Sequence, residues 1–421
     1  MNIKNNNGIP VILKDLRSFF IKFFYMLSSE FTHYKDEFIL YIEKYVELNK
    51  FYKIHKELDK IHNKSILIFH HNFGGGADKF LKEIVDNDKI HNYLIIHYNG
   101  NRKKYVITVL IKNFDLQKYE FKELDELSLL LKNVLLEEII INELVSYTDI
   151  YTILQYMVNL KKELDVKLTF FVHDYFSVCP SYNLMYNDYN FCGICSPPDL
   201  RCLKDNKHVI KKYKSYDIQT WRNNWNLFFK SIDDIVVFSE SSKNILTTAY
   251  PELNNRKIIV KPHTVSYIRK AAIDNNHINL TIGFIGHISK IKGSTIIMEM
   301  QRIIDSKKMN IKLVLVGILE KGIESDSLKI TGKYKIGDLV DLVEENCIDI
   351  IFIPSVCPET FSYATEEAIQ MGLPVAVFNL GAPAERVKRY NKGIIIDQID
   401  AEYSLKKINN YYLKYLNSST W

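Results

Sequence analysis

The stretch IDIIFIPSVCPETFSYATEEAIQMGLPVAVF, residues 348–378, has the pattern of a strand, a loop, a helix and a second strand. Its flanking runs, 348–354 and 374–378, have the near-continuous apolar content of strands that are buried on both faces. Between them, Ser362 fits a helix N-cap and Gly372 fits the position that follows a helix end. Two strands joined by a helix in this way predict a parallel sheet with helices packed on it.

The same alternation of short apolar runs and amphipathic helices extends outward along the chain. The first set of predicted strands is SILIF (65–69), YLIIHY (93–98), YVITVL (105–110), EEIII (137–141), LTFFV (168–172), DIVVF (234–238) and KIIVK (257–261). The second set is TIGFIG (281–286), IKLVLVG (311–317), LKITG (328–332), the two opening runs and GIIID (393–397). These patterns predict an α/β protein with two doubly wound parallel sheets.

The polar stretch KAAIDNNHINL, 270–280, separates the two sets and marks a domain boundary. A chain of 421 residues is long enough for two cores. We therefore predict a helical extension at 1–62, a first Rossmann-like domain at 63–270, a second at 271–400, and a C-terminal helix at 401–421 that crosses back to the first domain. Ligands of two such sheets are expected in a cleft where the carboxyl ends of the strands face each other.

Composition excludes several classes of protein. The net charge is +5, from 55 basic and 50 acidic residues, which is too balanced to favour nucleic acid as a partner. The first ten residues, MNIKNNNGIP, lack the apolar core of a secretion signal, and no run of 18 apolar residues occurs. We therefore expect a cytosolic protein whose six cysteines are reduced.

Histidines follow many of the predicted strands, where ligands of α/β sheets bind. They are His70, His71, His97, His173, His263 and His287. A single histidine at such a position is commonly structural, but the group as a whole favours a polar cleft. His173 is the best candidate for contact with a reacting group, because the carboxylate of Asp174 beside it can orient the imidazole.

Two glycine-containing turns join a predicted strand to a helix. Gly74, Gly75 and Gly76 lie in HHNFGGGADKF (70–80), and they allow a phosphate or sugar to approach the backbone. In GFIGHISKIKG (283–293), Lys290 and Lys292 precede a helix, where cations suggest an anionic ligand. A tight turn and a solvated basic loop remain the alternatives.

The segment PETFSYATEEA, 358–368, places Glu359 before the predicted helix and Glu367 in its second turn. A diphosphate at the amino end of this helix would have one carboxylate on either side, each able to bind sugar or ribose hydroxyls. The alternative is that the acids only favour the positive end of the helix dipole, which leaves Glu359 unexplained.

Four cysteines fall close together in sequence: Cys179, Cys192, Cys195 and Cys202. Their spacing predicts a structural zinc site of four thiolates, and iron–sulfur ligation and buried thiols remain alternatives. Further upstream, LKDLRSFFIKFFYML (13–27) combines apolar helical spacing with basic residues. It predicts either peripheral contact with the inner membrane surface or packing against protein.

The segment PSVCPETFSYATEEAIQMGLPVAVFNLGAPAERV, 354–387, resembles the E-x7-E segment of retaining GT-B glycosyltransferases of family 4, particularly bacterial enzymes of surface polysaccharide biosynthesis. HNFGGGADKFLKEI (71–84), HDYFSVCPSYNL (173–184) and GHISKIKG (286–293) resemble the same family, and the likeness spans 65–400. It implies a nucleoside-diphosphate sugar donor on the C-terminal domain, a polysaccharide or lipid-linked glycan acceptor, retention of anomeric configuration, and no metal in catalysis.

The resemblance also implies roles for individual residues. Glu359 would contact the donor sugar, Glu367 would contact the ribose, and His173 would lie beside the sugar. The diphosphate would be held by Lys292 and the backbone N–H groups of Phe361, Ser362 and Tyr363, with Gly75 and Gly76 at its border. His287 would also belong to the donor site.

The sequence departs from the family at two points. His287 stands where many relatives have arginine, and Glu-Thr-Phe-Ser (359–362) replaces Glu-Gly-Phe-Gly. Two alternatives to transfer therefore stay open: a nucleotide-sugar-binding scaffold with weak catalysis, and a GT-B sugar-nucleotide epimerase.

Overall fold

The computed structural model describes residues 64–71, 73–111, 117–132, 134–194, 199, 202–272, 279–320, 322 and 324–416. The predicted helical extension at 1–62, including the segment at 13–27, lies outside these residues. No helix within the described ranges combines the length and the apolar content needed to cross a membrane.

The N-terminal domain is built on a sheet in which the central strands are parallel. Its strands, with a separate short hairpin formed by β7 and β8, are β1 (Ser65–Phe69), β2 (Asn92–Asn99), β3 (Lys104–Leu110), β4 (Gln117–Phe121), β5 (Leu136–Ile141), β6 (Lys167–Phe171), β7 (Met185–Tyr186), β8 (Asn190–Phe191), β9 (Asp234–Val237) and β10 (Ile258–Val260). The order across the sheet is β10-β9-β6-β5-β1-β2-β3-β4. Each predicted strand of this domain is present.

One edge of this sheet differs from the prediction of a wholly parallel sheet. Strands β3 and β4 run antiparallel to their neighbours. Only residues 100–103 link β2 to β3, and a parallel crossover needs a dozen or more residues. The short link therefore forces the chain to turn back on itself.

Three of the helices of this domain have side-chain caps at their amino ends. They are α1 (Gly76–Asn87), α2 (Leu124–Leu131), α3 (Ile150–Leu164), α4 (Cys202–Asp205), α5 (Ile218–Ser231) and α6 (Glu240–Ala249), with 3-10 turns at Lys211–Tyr213 and Pro251–Asn255. Asp149, Asp217 and Ser239 cap α3, α5 and α6 by accepting from the backbone N–H three residues on. Helix α1 instead follows Gly75, which has a positive φ of 90°, and no side chain caps the start of this helix.

The C-terminal domain contains the second predicted sheet, and this one is parallel throughout. Its strands are β11 (Leu280–Ile288), β12 (Ile311–Leu319), β13 (Leu328–Ile330), β14 (Ile350–Ile353), β15 (Val375–Phe378) and β16 (Gly393–Ile396), in the order β13-β12-β11-β14-β15-β16. Its helices are α7 (Ser294–Lys307), α8 (Leu339–Glu345), α9 (Tyr363–Met371), α10 (Gly381–Lys388) and α11 (Ala401–Leu416), with a 3-10 turn at Ile336–Asp338. Apolar clusters lie on both faces, so the doubly wound prediction is confirmed.

Helix α11 does not pack as the sequence suggested. Its buried side chains, including Leu405, Ile408 and Tyr412, belong to the same core as α7 and the C-terminal strands. Along 401–416 the helix therefore lies on its own domain, and the predicted crossover to the first domain is not the packing found. Its apolar stripe matches the uncovered face of the sheet beside α7.

Helix α9 follows the sequence prediction at both ends. The Ser362 hydroxyl accepts from the Thr365 N–H at 3.3 Å, and Gly372 ends the helix with a φ of 81°. The helix start therefore lies directly after the loop that follows β14. This position places the amino end of α9 at the carboxyl edge of the sheet.

A close approach between β11 and β12 depends on glycine. Gly317 has a φ of 146°, and a Cβ there would lie 1.9 Å from the carbonyl oxygen of Gly286. Gly332 also has a positive φ, of 83°, but a Cβ there would meet nothing within 4 Å. An added Cβ at Gly317 would therefore cause both a steric clash and backbone strain, whereas an added Cβ at Gly332 would cause backbone strain alone.

We expect Gly317→Ala to lower the free energy of unfolding by about 3 kcal/mol, because the strands must separate to admit the methyl group. Gly332→Ala, the matched control, should cost about 1 kcal/mol, since only the dihedral angle is unfavourable. Urea denaturation of both variants measures this. Equal losses would show that the close approach of the strands contributes nothing.

Candidate functional site

A cavity of about 470 Å³ lies between the carboxyl ends of the two sheets. Its walls come from the loops after β1, β5 and β6 on one side and after β11 and β14 on the other. The predicted site residues that line it are Gly76, His173, His287, Lys292, Glu359, Phe361, Ser362 and Tyr363. Gly75 and Glu367 are not among the lining residues, although each is adjacent in the chain or helix to residues that are.

Lys292 and Glu359 form an ion pair in the cavity wall. The Ser355 hydroxyl also donates to the Glu359 carboxylate, whose side chain is 8% exposed. Burial alone would lower the pKa of Lys292, but the Glu359 carboxylate outweighs it and raises that pKa. Lys292 is therefore a fixed cation at the end of the loop that leads to α7.

His173 is oriented by an amide and not by the acid beside it. Its Nε2 lies 2.9 Å from the Asn142 Oδ1, and the Asn142 amide nitrogen lies 3.0 Å from the His70 Nδ1. An amide oxygen only accepts, so His173 carries its proton on Nε2. The expectation that Asp174 orients His173 is wrong, because Asp174 makes its hydrogen bonds elsewhere.

Burial in the N-terminal wall favours the neutral form of the histidines there. Burial lowers the pKa of His70 and of His263 to about 4, and burial together with His263, His70 and His71 lowers the pKa of His173. Rings also pack tightly here, with His263 stacked against Phe238 at 4.1 Å between ring centroids. Imidazolium in this cluster would be desolvated and would repel its neighbours.

Asp174 is hydrogen-bonded to Glu143, a residue that the sequence analysis did not select. Burial raises the pKa of Glu143 well above its usual range, and Asp174 raises it further. Burial also raises the pKa of Asp174, to about 6. Two carboxyl groups in contact therefore lie on the N-terminal wall of the cavity.

Asn142 and Glu143 could have been selected from the sequence on the same grounds as the histidines. Both follow β5 directly, at the carboxyl edge of the sheet. Asn and Glu carry hydrogen-bonding groups just as histidine does, so a search of all polar residues after strands would have included them. Their partners could not have been deduced from spacing.

Glu367 is buried, and its carboxylate already has a hydrogen-bond donor and a cation as partners. The Tyr267 hydroxyl donates to its carboxylate at 2.6 Å, and the Lys79 ammonium lies 3.6 Å from it. Lys79 also lies over the rings of Tyr267 and Tyr363, 4.1 Å from each centroid. Lys79 belongs to α1, so this contact connects the glycine-rich turn of the first domain to α9 of the second.

The cysteine prediction stays a prediction. Cys179 is buried. Burial is the main cause that raises the pKa of its thiol, and the nearby thiols of Cys202 and Cys192 raise it further. Cys195 lies outside the described residues. Within the described ranges, no group of three or more His, Cys, Asp or Glu side chains is arranged to hold a metal ion.

The buried neutral His70 predicts a loss of stability in acid. A histidine with a lowered folded pKa stabilises the fold above its unfolded pKa, near 6.5, and that contribution is lost as the pH falls toward 4. His70→Asn keeps an acceptor for Asn142 but removes the titration. Between pH 8 and pH 5 the wild type should lose about 2 kcal/mol of unfolding free energy more than the variant. Urea denaturation at the two pH values measures both losses. Equal losses of unfolding free energy in the wild type and in His70→Asn would contradict this.

Comparison with known proteins adds to this geometry. Residues 279–412, most of the C-terminal domain, match the family described as "Glycosyl transferases group 1". A capsular polysaccharide biosynthesis glycosyltransferase of Staphylococcus aureus, CapM, is 27% identical over 195 residues, covering 42% of this chain and 51% of that protein. The chain thus spans about half the length of this relative.

Solved structures resemble the fold across both domains. The Anabaena HepE structure in complex with UDP has a TM-score of 0.52 at 14% identity, covering 84% of this chain and 91% of that one. Sucrose-phosphate synthase of Thermosynechococcus elongatus has a TM-score of 0.53 at 12% identity, covering 83% and 90%. The two-sheet fold is therefore that of GT-B glycosyltransferases, and the C-terminal domain is similar to glycosyl transferases group 1.

Proposed function

We propose that the protein is a glycosyltransferase that moves a sugar from a nucleoside diphosphate to a hydroxyl group of a glycan or lipid-linked acceptor, with retention of configuration. The observation that carries this proposal is the convergence of Lys292, Glu359 and the amino end of α9 in one cavity. The similarity of 279–412 to glycosyl transferases group 1 supports it. CapM, named for capsular polysaccharide biosynthesis, supports a surface glycan as the acceptor.

The amino end of α9 is the anion-binding element in this proposal. Phe361, Ser362, Tyr363 and Ala364 all line the cavity, so the first turn of the helix borders it. The N–H groups at a helix start have no partner within the helix, and the helix dipole favours negative charge there. A diphosphate at this position would receive backbone hydrogen bonds without any rearrangement of α9.

Lys292 and Glu359 bind different parts of the donor. The Lys292 ammonium neutralises charge that develops on the leaving diphosphate as the bond to the sugar breaks. The Glu359 carboxylate accepts hydrogen bonds from sugar hydroxyls, because ionised carboxylates are strong acceptors. Their ion pair holds each group in place before the donor arrives. The exposed His287 lies near the carboxyl end of β11, just before the loop that contains Lys292, and it borders the cavity.

Glu359→Ala should abolish release of nucleoside diphosphate from whichever UDP-, GDP- or dTDP-sugar the wild type hydrolyses. Truncation removes the sugar contact and leaves Lys292 without its partner in the wall. Glu366→Ala is the matched control, because Glu366 lies in the first turn of the same helix but pairs with Arg386. Coupled detection of released nucleoside diphosphate measures both. Equal turnover by the wild type and Glu359→Ala would contradict the site.

Glu367 binds the ribose in this proposal, and for this its carboxylate must exchange the Tyr267 hydroxyl for ribose hydroxyls. Tyr267→Phe removes the competing donor and keeps the ring under Lys79. We expect donor affinity to rise by about tenfold to 100-fold, because one hydrogen bond to a charged group no longer has to be broken. Isothermal titration with the nucleoside diphosphate tests this. Weaker binding by Tyr267→Phe would show that the hydroxyl positions Glu367 instead.

A scaffold that binds nucleotide sugars without transfer makes a different prediction. It would bind the donor but release no nucleoside diphosphate with any acceptor. The intact Lys292–Glu359 pair favours the enzyme, because a protein that only binds has no use for a group that stabilises a leaving diphosphate.

A further inference from the structure

The cavity wall opposite Lys292 and α9 contains a second pair of acids. Glu143 follows β5 and Asp174 follows β6 by a few residues, and both line the cavity. Strands β5 and β6 are parallel neighbours, so their carboxyl ends bring the two side chains together. Glu143 is 7% exposed, while Asp174 is half-buried and so keeps part of its surface toward the cavity.

Backbone groups fix both carboxyls. The Glu143 Oε1 accepts from the Leu144 N–H at 3.0 Å and from the Val145 N–H at 3.4 Å. The Asp174 Oδ1 accepts from the Phe176 N–H at 2.8 Å. A hydrogen bond between the two side chains completes the pair. The carboxyls are therefore held in place before any ligand binds.

The pair must hold a proton. Two carboxylates in contact cannot both be ionised in a buried site, and burial together with Asp174 raises the pKa of Glu143 well above its usual range. Glu143, the more buried of the two, keeps the proton and donates to Asp174. Such an arrangement lowers stability compared with a neutral pair, and sites that tolerate this cost are commonly functional.

Building on the glycosyl transfer proposed above, we propose that the Glu143–Asp174 pair binds the acceptor. Protonated Glu143 donates to Asp174, and ionised Asp174 accepts the hydrogen bond of the attacking hydroxyl. As the hydroxyl oxygen bonds to the anomeric carbon of the sugar, the bond from that carbon to the diphosphate breaks. Asp174 takes the hydroxyl proton, and the diphosphate leaves as the anion beside Lys292. The donor groups, Lys292 and the start of α9, belong to the other domain, so a sugar bound there would have Asp174 across the cavity from it. Asp174 would be a catalytic residue, and Glu143 a positioning residue that acts through it.

Space for the rest of an acceptor continues beyond this pair. A second cavity, of about 260 Å³, shares Tyr182, Asn183 and Ile291 with the first. Tyr189 and Lys290 also line the second cavity, with the Lys290 ammonium 5.2 Å from the Tyr189 ring centroid. Aromatic and hydrogen-bonding side chains of this kind suit a hydroxyl-rich glycan. The second cavity therefore provides a route by which an acceptor could reach Asp174.

Two isosteric substitutions separate the roles of the pair. Asp174→Asn replaces the anionic acceptor, and we expect turnover to fall by about 100-fold or more with water, glycerol or methyl glucoside as the acceptor. Glu143→Gln should lower turnover less, by about fivefold, because its amide can still donate to Asp174 in place of the protonated acid. The donor is the nucleotide sugar that the wild type hydrolyses. Donor affinity, from titration with its nucleoside diphosphate, should change by less than about threefold in both variants.

The melting temperature distinguishes this proposal from a purely structural role of the pair, because loss of a structural pair would lower it. Both variants remove a shared proton between buried acids, so neither should melt below the wild type at pH 8. Loss of turnover in Asp174→Asn with donor affinity and melting temperature kept supports the proposal. Full turnover in Asp174→Asn, equal losses in both variants, or donor affinity lost in step with turnover would each overturn it. A wild type that binds no nucleotide sugar would instead overturn the proposed function itself.

Discussion

The hydrogen bond from the Thr360 hydroxyl to the His173 carbonyl, at 2.7 Å, joins the two loops on which the cavity depends. One loop follows β6 in the N-terminal sheet and the other follows β14 in the C-terminal sheet. Because both lie at the carboxyl ends of parallel strands, the bond brings the polar edges of two independent sheets into one site. The Ser242 hydroxyl donates to the Thr360 carbonyl at 3.4 Å and supports the same junction.

The groups that meet at this junction have pKa values shifted by their surroundings. Burial lowers the pKa of His173, which is hydrogen-bonded to Asn142, the Glu359 carboxylate raises the pKa of Lys292, and burial with Asp174 raises the pKa of Glu143. Each shift has a local cause, which is burial, a specific partner, or both. Groups with fixed protonation in a partly closed site can act on a ligand without first reorganising solvent.

The two walls of the cavity differ in charge as a consequence. The C-terminal wall presents a lysine and a helix amino end, which suit an anionic donor. The N-terminal wall presents a carboxyl pair and neutral histidines, which suit hydroxyl groups. Contacts such as Lys79 with Glu367 connect the walls across the junction, so movement of one domain would change the surroundings of the predicted ribose contact.

Local pattern was enough to predict much of the architecture. Continuous apolar runs located both sets of core strands, and Ser362 and Gly372 located the ends of α9, because strand burial and helix capping depend on residues close in sequence. Local pattern also predicted that polar groups would gather at the strand ends. It missed β4, and it treated the β2–β3 edge as parallel although the link is short.

Only the tertiary structure decided which polar groups touch. Asp174 is next to His173 in sequence, yet it pairs with Glu143, whereas Asn142 orients the histidine. Helix α11 has an apolar stripe that the sequence shows, but which sheet it covers depends on the surface left open beside α7. Partners separated by 30 residues or more are set by strand order and domain packing, and no local periodicity encodes those distances.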